Sequence, residues 1–283
     1  MRKPLLVTLV NHKGGCLKTS VTASLGAALA RMGKKVLVVD LDAQQNLTSS
    51  LIGPIAYDPE ANDLTLYEAL MEEVGLDELI TPTGTKGLDI IPVTEDFAGT
   101  EISLVSATGR EGILKICLER TERLGEYDFV LFDNPPSIGL VVMNSLVASD
   151  YFLVPCSAEY LPMVGLTLLG SSIGKMQKLA PDLQVLGVVL TNYSHRESIC
   201  RKTENILRQQ LGDNLFKTKI RVNTKAKSAP SVQKTIFEFE NSEQGRGTED
   251  YTKLAKEFLQ RTEALESGRE EVSEQQQGRV ANG

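Results

Sequence analysis

Val10-Asn11-His12-Lys13-Gly14-Gly15-Cys16-Leu17-Lys18-Thr19-Ser20 follows directly on the apolar run 5–10. A buried strand that turns into a helix through a glycine pair, a lysine and two hydroxyls has the geometry of a nucleotide-phosphate cradle. Gly14 and Gly15 allow backbone angles and a close approach that side chains would block, so successive N–H groups through Cys16 and Leu17 can point at phosphate oxygens. Lys18 brings a mobile charge to the β and γ phosphates, Thr19 offers a hydroxyl to Mg²⁺, and Ser20 can bond the α phosphate. The string predicts binding of ATP with Mg²⁺.

Two further strings extend it. Residues 35–42 read Lys-Val-Leu-Val-Val-Asp-Leu-Asp, a run of strand length that delivers Asp40 and Asp42 to a strand's carboxyl end, where open α/β sheets place their ligands. Residues 127–137 read Tyr-Asp-Phe-Val-Leu-Phe-Asp-Asn-Pro-Pro-Ser. An apolar strand closing on Asp133 is a Walker B arrangement, with the carboxylate meeting Mg²⁺ across the phosphates from Thr19. One acid after an apolar strand is commonplace; three strings in this order form a constellation.

Further apolar runs place strands near 5–10, 36–39, 88–91, 129–132, 152–154 and 185–190, with helix-like stretches between them. The alternation predicts right-handed βαβ crossovers and an α/β three-layer sandwich, a mostly parallel twisted sheet flanked by helices. With 283 residues, 41% of them hydrophobic, residues 1–266 can form a single domain. The remainder, 267–283, is rich in Glu, Gln and Arg and is expected to be a disordered tail. No signal-like start and no apolar run near ~18 residues is present, so a cytoplasmic chain with no membrane association is expected. Cys16, Cys117, Cys156 and Cys200 have neither CxxC nor His-paired spacing, which fits a reducing compartment.

These strings resemble those of the ParA/MinD ATPases, the deviant Walker A branch of the P-loop NTPases (a SIMIBI-like fold), whose loop reads Lys-Gly-Gly-x-Gly-Lys-Thr/Ser. The resemblance implies that Lys13 crosses a dimer interface to the partner's nucleotide, so that Lys13, Lys18 and Asp42 form the catalytic set. Leu17 departs from the pattern by filling its glycine slot, and His12 fills the first glycine slot of the ordinary motif. The Asp40–Asn46 string is similar to the family's Asp-x-Asp-Pro-Gln-Gly-Asn, by which Asp42 orients the attacking water and Asp40, with Thr19 and Asp133, serves the metal. Pro135-Pro136-Ser137 is similar to the family's switch segment. By the same resemblance residues 157–169 help pack a nucleotide-sandwich dimer and Asn192 contacts adenine, though asparagine at a loop start is also an ordinary turn residue.

Charge gives a second clue. The chain carries −7 overall, yet residues 195–234 hold ten Lys and Arg against three acids. Such a segment suits nonspecific phosphate-backbone binding if its charges share one face; scattered over several, it is a solvated surface. By the resemblance, Arg196 and Lys225 fall where relatives contact nonspecific DNA, with Arg201, Lys202 and Lys227 beside them. Arg221 replaces the proline of the family's Ile-Pro-x-Asn segment. The expected protein is a homodimer formed with ATP that binds DNA nonspecifically, is nucleoid-associated, and drives plasmid or chromosome partition. Its ATP hydrolysis would be weak until stimulated by a ParB-like centromere-binding or adaptor protein. The alternatives are positioning of a protein cargo such as a chemoreceptor cluster or carboxysome, and a MinD-like cell-division role. The polar tail lacks MinD's membrane-binding helix, and no cysteine closely follows Asp133 as in the nitrogenase iron protein. Biosynthetic ligases of the superfamily give no account of the basic segment. The chain opens on its first strand, so an operator-reading extension is not expected.

Overall fold

Strands buried at nearly every residue, rather than at alternate ones, set the architecture. The computed structural model describes residues 3–11, 13–53, 64–137, 139–160, 174, 177–178 and 180–280, with the side chains of residues 160, 227, 230 and 270–280 outside that set. Strand β1 (Leu5–Leu9) leads through the glycine loop into α1 (Lys18–Arg31), followed by β2 (Val36–Asp40), α2 (Asn46–Leu51) and α3 (Leu66–Glu72). Then come β3 (Thr81–Pro82), β4 (Leu88–Ile91), α4 (Thr100–Val105), α5 (Ile113–Glu119), β5 (Phe129–Asp133), α6 (Leu140–Ala148) and β6 (Tyr151–Ser157). The chain closes with β7 (Gln184–Tyr193), α7 (Ser198–Leu211), β8 (Leu215–Arg221), α8 (Thr224–Ser228), α9 (Ile236–Glu240) and α10 (Arg246–Val280).

The eight strands form one sheet in the order β3-β4-β2-β5-β1-β6-β7-β8. Only the β3–β4 pairing is antiparallel. Val36, Val38, Phe129 and Leu131 pack into a cluster shared with α1 and α10. Their neighbours Leu37, Val39, Val130 and Phe132 point to the opposite cluster with α3 and α5. That odd–even split makes three layers, as expected of a parallel sheet covered on both sides. The register sets Leu9 and Asp40 on either side of Asp133, so the ends of β1, β2 and β5 meet at one point. Among the described residues no helix is long and apolar enough to cross a membrane, and all four cysteines are buried free thiols.

Two strands lie outside the expected set. Strand β8 was not among the anticipated strands, because Lys217, Lys219 and Arg221 alternate with Thr218 and Ile220 and the segment reads as charge. It lies at the edge of the sheet, where charged side chains are tolerated. The two-residue β3 carries too little sequence to read. Residues 267–280 continue α10 as helix. Tyr251, Leu254, Ala255 and Phe258 bury one face of that helix, and Glu, Gln and Arg extend a helix once it is nucleated.

Candidate functional site

The glycine loop is anchored before any ligand is considered. Asn11 donates from Nδ2 to Pro155 O at 2.8 Å and accepts the Lys13 N–H at 3.0 Å, tying the loop's entry to β6. Thr191 Oγ1 donates to Cys16 O at 3.0 Å, and Asn192 Nδ2 to Gly15 O at 3.2 Å, so the end of β7 supports the loop from behind. Lys18 is only 8% exposed, and its Nζ rests on Asn11 O at 2.9 Å. Lys13 is exposed. His12 lies outside the described residues. Burial raises the pKa of the Cys16 thiol, whose Sγ donates to Lys13 O.

The backbone keeps the form a glycine would choose even where none is present. Gly15 has φ 76°, and so has Leu17 a left-handed φ of 64° as the residue leading into α1. A left-handed leucine costs roughly 1–2 kcal/mol, and here its side chain packs partly buried against the α1 cluster. Gln45, in the glycine slot of the second string, repeats the device with φ 56° ahead of α2.

The acids converge as the strand register requires. Asp40, wholly buried, accepts from the Asp42 N–H at 3.1 Å, the Thr48 N–H at 2.9 Å and Thr48 Oγ1 at 2.8 Å. Burial raises its pKa and these bonds oppose the rise. Asp133 is also wholly buried. Thr22 Oγ1 lies 3.3 Å from its Oδ1, and Oδ2 has no hydrogen-bond partner among the described residues. Burial, reinforced by Asp40, pushes the Asp133 pKa up, while the Thr19 hydroxyl and Lys18 pull it down. An orphaned carboxylate oxygen in such a place calls for a cation or ordered water. Asn134 is fixed by bonds to Thr8 Oγ1 and Leu9 O and from Ser145 Oγ, which sets the start of the Pro-Pro-Ser segment.

A cavity of about 360 Å³ opens over this point, lined by the loop from Gly14 to Ser20, by Asp42 and by Asn134. A Cβ added at Gly14 or Gly15 would meet nothing within 4 Å, so the loop faces open space of the kind a phosphate chain requires. Its far wall was not foreseen: Ala226, Ala229, Lys234, Thr235 and Ile236, from the segment that follows β8. The capping signature Thr235-x-x-Glu238 marks the start of α9 there, but nothing local shows that it crosses the loop. Asn192 is not among the lining residues.

The basic segment divides. Arg196 just after β7, Arg201 and Lys202 in the first turns of α7, and Lys225 just after β8 are exposed, while the Lys227 side chain lies outside the described residues. Arg201 turns back onto His195 O. Lys219 pairs with Glu204 at 2.5 Å. Arg221 pairs with Glu249 at 2.5 Å and Asp250 at 2.6 Å, and Arg208 caps Leu215 O and Phe216 O at 2.7 and 3.0 Å. Three of the ten basic residues thus hold the fold together. Of the anticipated dimer-packing stretch, residues 161–169 lie outside the described residues.

A model of the AAA domain family matches residues 5–185. The sporulation initiation inhibitor protein Soj of Bacillus subtilis is 37% identical over 253 residues, covering 89% of this chain and 97% of that protein. The chain belongs to the ParA/Soj family. Chromosome partitioning protein ParA of Caulobacter vibrioides is 34% identical over 258 residues, covering 90% of this chain and 94% of its own. Among solved structures, cobyrinic acid a,c-diamide synthase of Mycobacterium smegmatis with bound ADP and magnesium superposes with a TM-score of 0.71 at 28% identity, over 92% of this chain and 96% of that one. The ParA/Soj fold is thus shared with a biosynthetic enzyme, and fold alone does not choose between the two activities.

Proposed function

We propose that this ParA/Soj-family chain is an ATPase that partitions DNA: with ATP and Mg²⁺ it forms a sandwich dimer that binds DNA nonspecifically, and partner-stimulated hydrolysis releases it. The observation that carries the reading is the unpartnered, buried Asp133 oxygen beside a glycine loop that opens on a cavity. A buried carboxylate with one oxygen unpartnered is costly, and a chain retains that cost where a ligand offsets it. The identity to Soj and ParA, above that to the synthase, favours partition over biosynthesis.

In this reading the N–H groups of Gly14 to Leu17 receive the phosphates, Lys18 exchanges Asn11 O for a phosphate oxygen, and Ser20 bonds the α phosphate. Asn192, whose amide is spent on Gly15 O, keeps its Oδ1 to accept from the adenine amino group. Mg²⁺, when bound, offsets the charge building on the phosphates, with Thr19 and Asp133 as its protein ligands and Asp40 steadying its water shell. Asp42, at the cavity wall, orients the attacking water. Lys13 reaches across the dimer to the partner's nucleotide, and Arg196, Lys202 and Lys225 meet DNA phosphates, with Arg201 and Lys227 flanking them. Nucleotide-dependent DNA binding of this kind needs different affinities in the two nucleotide states. A ParB-like adaptor, a cytoplasmic setting and nucleoid association complete the reading.

The test is binding of the purified protein to random-sequence duplex DNA with ATP, with ADP and without nucleotide, at two salt concentrations. Salt-sensitive binding confined to ATP is expected. ATP binding without DNA binding in any state would remove the DNA arm and leave a nucleotide switch for another cargo.

A further inference from the structure

The segment after β8 is a closed strap. Asn223 accepts the Lys225 N–H at 2.9 Å and donates to Glu240 Oε1 at 3.0 Å. Glu240 in turn accepts the N–H groups of Gly247 at 3.2 Å and Thr248 at 2.8 Å, where α10 begins. With its ends clasped, the strap 224–239 lies over the phosphate loop, and its turn Ala229–Val232 packs against α2. Gln233 adopts a left-handed φ of 55°. A Cβ at Gly53 would come within 2.4 Å of the Gln233 amide, so the strap's apex fits against a bare backbone.

That turn places Lys234 in the cavity wall. Its backbone is fixed by Lys234 N to Ala229 O at 3.2 Å and by the Thr235 capping box next to it. Its side chain is exposed and makes no hydrogen bond or ion pair among the described residues, whereas Lys18 rests on the Asn11 carbonyl. The other charged groups on the wall are Lys18 and Asp42. A bound triphosphate carries more negative charge than Lys18 and one divalent cation offset, and the surplus calls for another cation within reach.

We propose that Lys234 is a further phosphate ligand of the nucleotide site, supplied by the strap rather than by the glycine loop; this rests on the ATP reading above. It would make the strap a sensor of occupancy, because Lys225, on the proposed DNA rim, stands at the root of the same clasped segment.

The test is calorimetric titration of the full chain with Mg²⁺-ATP and Mg²⁺-ADP, comparing the parent with Lys234→Ala, Lys234→Arg and Lys217→Ala. Lys217 is an exposed β8 lysine away from the cavity and controls for loss of one positive charge. Expected are a five- to tenfold weaker ATP affinity for Lys234→Ala, recovery of at least half of that loss by Lys234→Arg, and parent-like values for Lys217→Ala, with all melting temperatures alike. Lys234→Ala binding ATP as the parent does would overturn this inference alone. An equal loss in Lys217→Ala would also overturn it, by reducing the effect to bulk charge. A parent that binds no ATP would overturn the nucleotide reading and this inference with it.

Discussion

The phosphate loop and the basic rim stand at the carboxyl ends of strands in one sheet, yet they use charge in opposite ways. Beneath the loop, four ionisable groups are buried: Asp40 and Asp133 fully, Lys18 and Asp42 to 8% exposure. On the rim, Arg196, Lys202 and Lys225 are exposed, while Arg208 and Arg221 turn inward to carbonyls and carboxylates. A buried charge costs stability unless something offsets it, so its presence is informative. An exposed charge costs almost nothing, so a count of exposed charges says little until each is placed.

The largest effect should come from Asp133→Asn. The amide replaces a carboxyl whose ionisation burial and Asp40 disfavour, so the nucleotide-free protein is expected to melt roughly 2–4 °C higher, about 1 kcal/mol of added stability for a chain of this size. Mg²⁺-dependent ATP hydrolysis should fall on the order of 10²- to 10³-fold, the usual scale for loss of one charge-stabilising group. A lower melting temperature together with retained hydrolysis would show that the carboxylate serves the fold, and the contrast between loop and rim would collapse.

Arg221→Ala probes the opposite case, a rim cation that the fold has taken over. Its guanidinium bonds Asp250 and Glu249, and the Asp250 side chain is 6% exposed, so truncation leaves a buried carboxylate with the Arg221 N–H as its remaining partner. A loss of about 2–3 kcal/mol is expected from chemical denaturation, with DNA affinity per folded molecule unchanged. Weakened DNA binding without loss of stability would return Arg221 to the nucleic-acid surface.

The same division explains what could be read in advance. The loop, the Asp40–Asp42 pair and Asp133 are legible because each lies at the end of an apolar run, and parallel register then brings neighbouring run ends together. The strap is not legible, because its path is set by the Asn223–Glu240 clasp and by the close approach of Gln233 to Gly53, contacts between residues far apart in sequence. Strand β8 is hidden for a different reason: its alternation puts lysines where a buried strand has apolar residues. Arg221 reads as one more positive charge until α10 brings Asp250 to it. The helical continuation to Val280 depends on a helix that α1 and the sheet have already stabilised, which composition alone does not reveal.

A smaller effect sharpens the rim. Neutralising Arg196 and Lys225 together should weaken binding to every duplex sequence alike, about tenfold at moderate salt, and flatten the salt dependence by about two units of log–log slope, roughly 0.9 per phosphate contact. Melting temperature and ATP affinity should stay at parent values, since neither side chain has a bonding partner among the described residues. An unchanged salt slope would place the DNA contact away from the ends of β7 and β8.

The smallest effect lies inside the loop. Leu17→Ala and Leu17→Gly remove the same partly buried packing, but alanine keeps the left-handed penalty that glycine relieves. Glycine in turn gives the unfolded chain more freedom, which offsets part of its advantage. The alanine variant should therefore lie about 1 kcal/mol below the glycine variant, with glycine within about 1 kcal/mol of the parent, by equilibrium denaturation without nucleotide. If the two variants were equally stable, the left-handed turn at position 17 would have relaxed in the alanine protein. The φ of 64° would then be held by leucine packing against the α1 cluster rather than imposed by the path from the glycine pair into α1. In the first case the glycine slot is a backbone requirement that this chain meets at a cost; in the second, leucine has replaced it with a side-chain anchor, and the loop owes its shape to the core beneath it.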